Sequence, residues 1–288
     1  MRQEKLAGEM EDSLRRVYLP LALWAIRQKQ TGKALVLGIN GAQGAGKSTL
    51  CGFLRFILEQ GYGFKVASLS LDDFYHTRAE RQRLAHTIHP LLATRGAPGT
   101  HDVGLARRAL QALISPDGVP TALPLFDKAM DDRRPRAEWP LFQGPADVLL
   151  FEGWCLGTRP QAESALAQPV NDLERDEDPA GIWRRHVNQQ LQGPYAKLFA
   201  QLDKLVFIQV PSMDCVLRWR GLQEQKLAQA AASGKGQHIM DTQALQRFVM
   251  HYERLTRHAL ADLPSRADLI LKLNDDHQFS PLYIDRKP

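Results

Sequence analysis

The chain has 288 residues, 44% of them hydrophobic, and a formal net charge of +5. That much apolar material suits one sizeable α/β domain or two small ones. Its Lys and Arg are spread rather than clustered, which argues against nucleic acid and for anionic small molecules as partners. The three cysteines, Cys51, Cys155 and Cys215, have no metal-ligand spacing, and so sparse and odd a set fits a reducing compartment with each thiol buried as a small apolar group.

In chain order, the first predicted element is a helix over the apolar run Val17–Ile26. This run resembles the centre of a signal peptide. However, Glu4, Glu9, Glu11 and Asp12 precede it, no small-residue cleavage site follows, and it is too short to span a bilayer. Residues 1–30 are therefore read as an N-terminal helical extension packed on the domain, and the expected location is cytoplasmic with no membrane partner. Strands are predicted at Ala34–Ile39, Lys65–Leu71, Asp147–Phe151, Lys204–Val210 and Ala267–Leu273. Helices are predicted at Lys47–Gln60, Asp102–Leu113, Ile182–Leu202, Met213–Ala232 and Thr242–Leu263. Strands alternating with helices, most of them continuous apolar runs, predict a doubly wound, mostly parallel sheet covered on both faces. Residues 74–101 and 121–146 read as irregular, and Glu174–Pro179 as a solvated acidic loop.

Between the first strand and the first long helix lies Gly41-Ala42-Gln43-Gly44-Ala45-Gly46-Lys47-Ser48, which fits the phosphate-loop pattern G-x-x-x-x-G-K-[ST] at every fixed position. Its glycines free the backbone so that successive N–H groups turn inward, and the following helix adds its positive end. Residues Gly41 to Thr49 are the expected nucleotide cradle. Lys47 is expected at the β- and γ-phosphates, and the Ser48 hydroxyl on Mg²⁺. The fold is accordingly expected to be of the P-loop NTPase type.

The second strand runs into Asp72-Asp73-Phe74-Tyr75. A carboxylate at that tip faces the γ-phosphate, where transfer to an alcohol needs a group that accepts or orients the hydroxyl proton. Asp72 fits that task, with Asp73 beside it for substrate or a metal-bound water; an Asx turn is the structural alternative. Strand, phosphate loop, helix, strand and Asp-x-Phe-Tyr together resemble the uridine kinase, pantothenate kinase and phosphoribulokinase group of P-loop kinases. A closer resemblance, to the D-glycerate 3-kinase family, is carried by Ser68–Tyr75, Arg95–Asp102, Leu125–Lys128 and Leu149–Trp154. It implies one kinase domain over residues 1–288 that uses ATP and Mg²⁺ to phosphorylate a hydroxyl of a small anionic acceptor, D-glycerate foremost. A nucleoside- or pantothenate-type kinase and a non-catalytic ATP-binding regulator stay open. A GTP switch fits poorly, because no guanine-reading Asn-Lys-x-Asp is present.

Further residues complete the expected site. Glu152 ends the third strand, where a carboxylate binds Mg²⁺ or else holds the phosphate loop. The resemblance adds Tyr75, His101 and Asp102 as acceptor contacts; composition alone leaves open whether Asp102 is a helix N-cap and His101 a satisfied loop residue or whether both touch substrate. An acceptor carboxylate requires a cation, and Lys128, Arg133 and Arg134 are the candidates. Residues 212–245 read as a lid, with a glycine-containing break at 233–237 and Arg218 or Arg220 delivered to the transferring phosphate. Tyr252, Phe248 and Leu255 are expected in the core, and Asn274-Asp275-Asp276 beside the nucleotide base. The sequence leaves oligomeric state open.

Overall fold

Strand β1 (Leu35–Gly41) is buried at every position, because it lies at the centre of a sheet covered on both sides. Leu35, Leu37 and Ile39 join an apolar cluster with Leu50, Leu54 and Leu58 of helix α2 (Lys47–Tyr62). Val36, between them, points to the opposite cluster, as the period of two requires. The structure, a computed structural model, describes residues 11–231 and 242–283. The predicted break at 233–237 lies outside the described residues.

The central sheet has five parallel strands in the order β2 (Val66–Ser70), β7 (Val148–Gly153), β1, β8 (Lys204–Gln209) and β9 (Leu269–Lys272). Each lies within two residues of its predicted bounds. Helix α1 (Leu19–Gln28) packs on α2, with Tyr18 stacked on Phe53 at 4.7 Å. Among the described residues, no helix is long and apolar enough to cross a membrane. All three cysteines are buried thiols.

Three sequence readings are corrected. Residues 74–101 are not wholly irregular: helix α3 (Arg78–Thr87) starts at a capping box in which Thr77 and Glu80 satisfy each other's backbone N–H. The predicted helix Ile182–Leu202 is broken. After α4 (Val103–Ile114) and the short α5 (Asp172–Glu177), it forms α6 (Ile182–Gln190), a π-helical turn at Leu191–Tyr195 and α7 (Ala196–Phe199). Pro194 lies in that turn, and its missing N–H removes an α-helical bond.

The third correction concerns Glu174–Pro179. Glu174 is fully buried, and its two oxygens accept from Arg254 Nε and Nη2 at 2.7 and 2.6 Å. Asp178 is buried likewise against Arg184, 3.0 Å away. Arg254 belongs to α9 (Thr242–Asp262), which follows α8 (Met213–Ala231). The acidic stretch is thus a buried anchor for α9. Its partners lie too far along the chain to be read from local composition.

The other irregular region, 121–146, holds two small antiparallel pairs. Thr121–Ala122 (β3) pairs with Leu141–Phe142 (β6), and Phe126–Asp127 (β4) pairs with Asp132–Arg133 (β5). The β4–β5 hairpin lies over the carboxyl end of β2.

Candidate active site

The phosphate loop takes its shape from two left-handed glycines. Gly44 has φ 75° and Gly46, the N-cap of α2, has φ 85°. Residues with a Cβ rarely adopt either conformation. The loop therefore ends on the N-terminus of a 16-residue helix, whose unpaired N–H groups and dipole favour phosphate. Lys47 folds back and donates to the Ala42 carbonyl at 3.2 Å. Ser48 Oγ donates to Glu152 Oε1 at 2.6 Å, which joins the start of α2 to the end of β7. A hydroxyl and a buried carboxylate are hard oxygen donors suited to Mg²⁺, which completes its shell with water and phosphate oxygens. Among the described residues, no cluster of three or more His, Cys, Asp or Glu forms another metal site.

The opposite wall starts where β2 ends. The Ser70 hydroxyl accepts from Asp72 N at 3.3 Å and starts a 3₁₀ turn, Leu71–Phe74. Asp72 Oδ2 accepts from Lys128 Nζ at 2.7 Å, and Oδ1 from the Tyr75 hydroxyl at 3.0 Å. Burial pushes the Asp72 carboxyl up, but the Lys128 ammonium, helped by Lys47, outweighs it and holds the group down at about 2. The same ion pair raises Lys128. Asp73 Oδ1 accepts from Phe126 N at 3.3 Å; burial lifts its carboxyl to about 6.

Of the other predicted acceptor residues, Tyr75 stacks on His101 at 4.3 Å, and the two share an isolated bridge. His101 is buried, with Nδ1 2.6 Å from the Tyr195 hydroxyl and Nε2 without a partner among the described residues. Burial pushes its pKa down to about 3, so it is neutral at physiological pH. Asp102 caps α4 through Leu105 N at 2.8 Å. Arg133 donates Nε and Nη2 to the Tyr75 carbonyl at 3.1 and 2.7 Å. Arg134 is held by Asp127 and Glu138. The structure thus gathers Tyr75 and Lys128 directly on Asp72, and uses Asp102 and Arg133 within the walls.

Arg218 pairs with Asp275 at 3.2 Å and touches Cys215 Sγ at 3.1 Å, on an exposed part of α8. The Arg220 guanidinium lies 5.7 Å from the Phe248 ring. Next to them, Trp219 covers the phosphate loop so closely that a Cβ on Gly44 would lie 3.3 Å from Trp219 Cβ. The loop after β9 also reaches the cradle: His277, one residue past Asn274–Asp276, donates from Nε2 to the Gly44 carbonyl at 2.6 Å.

Several residues of this region escaped the sequence reading. Tyr252 is buried in the core, as are Leu255 and the partly buried Phe248 beside it, yet the Tyr252 hydroxyl also donates to the Arg95 carbonyl at 3.1 Å. Gly96, with φ 137°, must be glycine because a Cβ would lie 2.2 Å from that hydroxyl. Arg95 and Asp131, joined as an ion pair, were not singled out. The one available signal was the position of Arg95 at the head of Arg95–Asp102, the segment already notable for its glycines.

No family model matches the chain. Among curated proteins, it is 32% identical over 232 residues to the uncharacterized kinase mug58 of Schizosaccharomyces pombe, which covers 78% of this chain and 80% of that protein. It is 28% identical to the chloroplastic D-glycerate 3-kinase of Arabidopsis thaliana, over 96% of this chain and 62% of that one. Among solved structures, the D-glycerate 3-kinase of Cryptococcus neoformans superposes with a TM-score of 0.72 at 26% identity, covering 96% of both chains. With the phosphate loop, the parallel sheet and the Asp72 wall in place, these likenesses show that the chain belongs to the D-glycerate 3-kinase-like family of P-loop kinases.

Proposed function

We propose that this phosphotransferase moves the γ-phosphoryl group of ATP to a hydroxyl of a small hydroxy acid, D-glycerate first among them. One observation carries the reading: the Asp72 carboxylate, just past the tip of β2 and one strand removed from the phosphate-loop strand, is flanked by a tyrosine hydroxyl and a lysine ammonium. A non-catalytic nucleotide binder has no need of an ionised acid held there. The Arabidopsis and Cryptococcus relatives, named as D-glycerate 3-kinases, favour glycerate within the hydroxy acids.

The roles follow from the charges. Gly41 to Thr49 would hold the phosphates, with Lys47 leaving Ala42 to meet the β- and γ-oxygens. Ser48 and Glu152 would hold Mg²⁺, which when bound neutralises phosphate charge. Asp72, held at about 2, is a weak base at neutral pH. It would accept a hydrogen bond from the acceptor hydroxyl and orient its oxygen in line with the phosphorus, which suffices for a loose phosphoryl-transfer transition state. Tyr75 fixes the second carboxylate oxygen. Arg218 or Arg220, which flank Trp219 at the phosphate loop, would be delivered to the transferring group.

The reading is tested by following ADP release from MgATP with D-glycerate, uridine and pantothenate offered separately. D-glycerate is expected to be the best of the three. Asp72→Asn, which keeps the shape but removes the charge, is expected to lower kcat about 10²-fold or more with the KM for ATP unchanged. Turnover indifferent to every acceptor would leave the non-catalytic alternative in place.

A further inference from the structure

The cations around Asp72 differ in how their donors are used. Arg133 and Arg134 are engaged by the Tyr75 carbonyl and by Asp127 and Glu138. Arg81, whose side chain is 1% exposed, donates Nε to the His76 carbonyl, Nη1 to Ala93 and Nη2 to the Asp131 carbonyl, and pairs with the Asp131 carboxylate. Arg95 is different. Its side chain is 23% exposed, and its one protein acceptor among the described residues is Asp131, reached through Nη1. The Nε and Nη2 donors have none.

The surroundings hold this guanidinium in place. It lies 5.7 Å from the centroid of Phe126, on a ring that Arg81 also approaches at 5.8 Å. Phe126 in turn meets Tyr75 edge to face at 5.2 Å, which places the cluster against the wall that carries Asp72. Arg81 and Arg95 share the single carboxylate of Asp131, so the cluster holds one positive charge more than these three residues neutralise. A half-buried cation in excess is costly unless an anion meets it.

We propose that Arg95 is a specificity-determining residue that receives the carboxylate of the acceptor through its Nε–Nη2 edge, with Asp131 and Phe126 fixing the plane of the fork. This inference rests on the reading of the chain as a hydroxy-acid kinase. The free edge presents parallel N–H groups that match two carboxylate oxygens. Lys128 offers no such fork and is engaged by Asp72. Asp131 takes a left-handed φ of 53°, which Asn tolerates as readily as Asp, so Asp131→Asn removes the charge without new backbone strain.

The test measures initial rates with MgATP for the wild type, Arg95→Met, Arg95→Lys, Asp131→Asn and the Arg95→Met/Asp131→Asn double variant. The acceptors are D-glycerate, L-glycerate and pantothenate as acids, and glycerol and uridine as neutral compounds. With the preferred acid, Arg95→Met is expected to raise the acceptor KM about 100-fold and Arg95→Lys about tenfold, while the KM for ATP stays within twofold. Asp131→Asn is expected to raise it less and, in the acceptor KM, to add little to Arg95→Met, while the loss of the carboxylate partner of the buried Arg81 lowers the thermal midpoint. ATP affinity by calorimetry and the thermal midpoint show that each variant is folded, with Arg95→Lys as the milder replacement. Wild type that uses an acid other than D-glycerate overturns the glycerate assignment alone, and the variants then test Arg95 on that acid. Wild type that prefers a neutral acceptor overturns both. D-glycerate turnover with an acceptor KM unmoved in Arg95→Met and Arg95→Lys overturns the role of Arg95 and leaves the kinase reading standing.

Discussion

The two halves of the site are built by different means. The donor half is largely local: residues 41–49 form it from backbone conformation and a helix N-terminus, and Glu152, Trp219 and His277 reach it from elsewhere in the chain. The acceptor half draws Asp72–Tyr75, Arg95–His101, Phe126–Arg133 and Tyr252 from four stretches of chain. Ion pairs join them, Lys128 to Asp72 and both Arg81 and Arg95 to Asp131. Holding phosphate needs inward N–H groups, which glycine and a helix supply alone. Selecting an acceptor needs side chains that converge from several directions. The acceptor half is therefore the one that depends more on long-range packing.

The sharpest way to separate the halves is to loosen α9. Arg254 and Glu174 are buried together, with side chains 6% and 0% exposed. Arg254→Met leaves a carboxylate buried without its cation and is expected to cost about 3–5 kcal/mol of stability, read from the urea midpoint. Replacing Glu174 as well, as Arg254→Met/Glu174→Leu, is expected to recover most of that loss. Because Tyr252 lies two residues from Arg254 and bonds the Arg95 carbonyl, the acceptor KM should rise in the single variant before the ATP affinity changes. Equal loss of both would show that the halves are not separable.

The same division explains how much was legible in the sequence. The phosphate loop, the five strands and the acid at the tip of β2 all appear within short windows, since glycine spacing and apolar runs are local signals. Thr77 and Glu80 were equally local, a capping box three residues apart, yet they escaped the sequence reading, in which the whole stretch is irregular. Arg95, Asp131 and the Glu174–Arg254 pair were not legible. Their meaning lies in partners 36 and 80 residues away. Lys128 and Arg133 looked alike as candidate cations, and only the turn of the β4–β5 hairpin sends one to Asp72 and the other to a backbone carbonyl.

A smaller effect is expected from Lys128→Met, which acts within the acceptor half. Without the ammonium, burial is left to dominate and the Asp72 pKa rises from about 2. The sign follows from the depressed carboxyl: its contribution to stability is present above the ordinary aspartate pKa and is lost as the pH falls towards 2. In the variant, the acid limb of kcat/KM therefore moves to higher pH, and acid unfolding starts at higher pH. At neutral pH, kcat/KM is expected to fall about tenfold. A pH profile with its acid limb unmoved would mean that Lys128 does not tune Asp72.

The smallest effect concerns Asp73, whose Oδ1 is bonded to the hairpin at Phe126 N. Burial raises its carboxyl to about 6, so the folded protein binds this proton more tightly than the unfolded chain. Stability from this group therefore declines as the pH rises from about 4 to 6, then stays level. Asp73→Asn removes that slope while its amide oxygen still accepts from Phe126 N. The thermal midpoint at pH 7.5 is expected to rise by about 2–4 °C, and the gain should vanish below about pH 4. A gain that persists at pH 4 would trace to packing, and a loss at every pH would show that the charged form of Asp73 serves the fold.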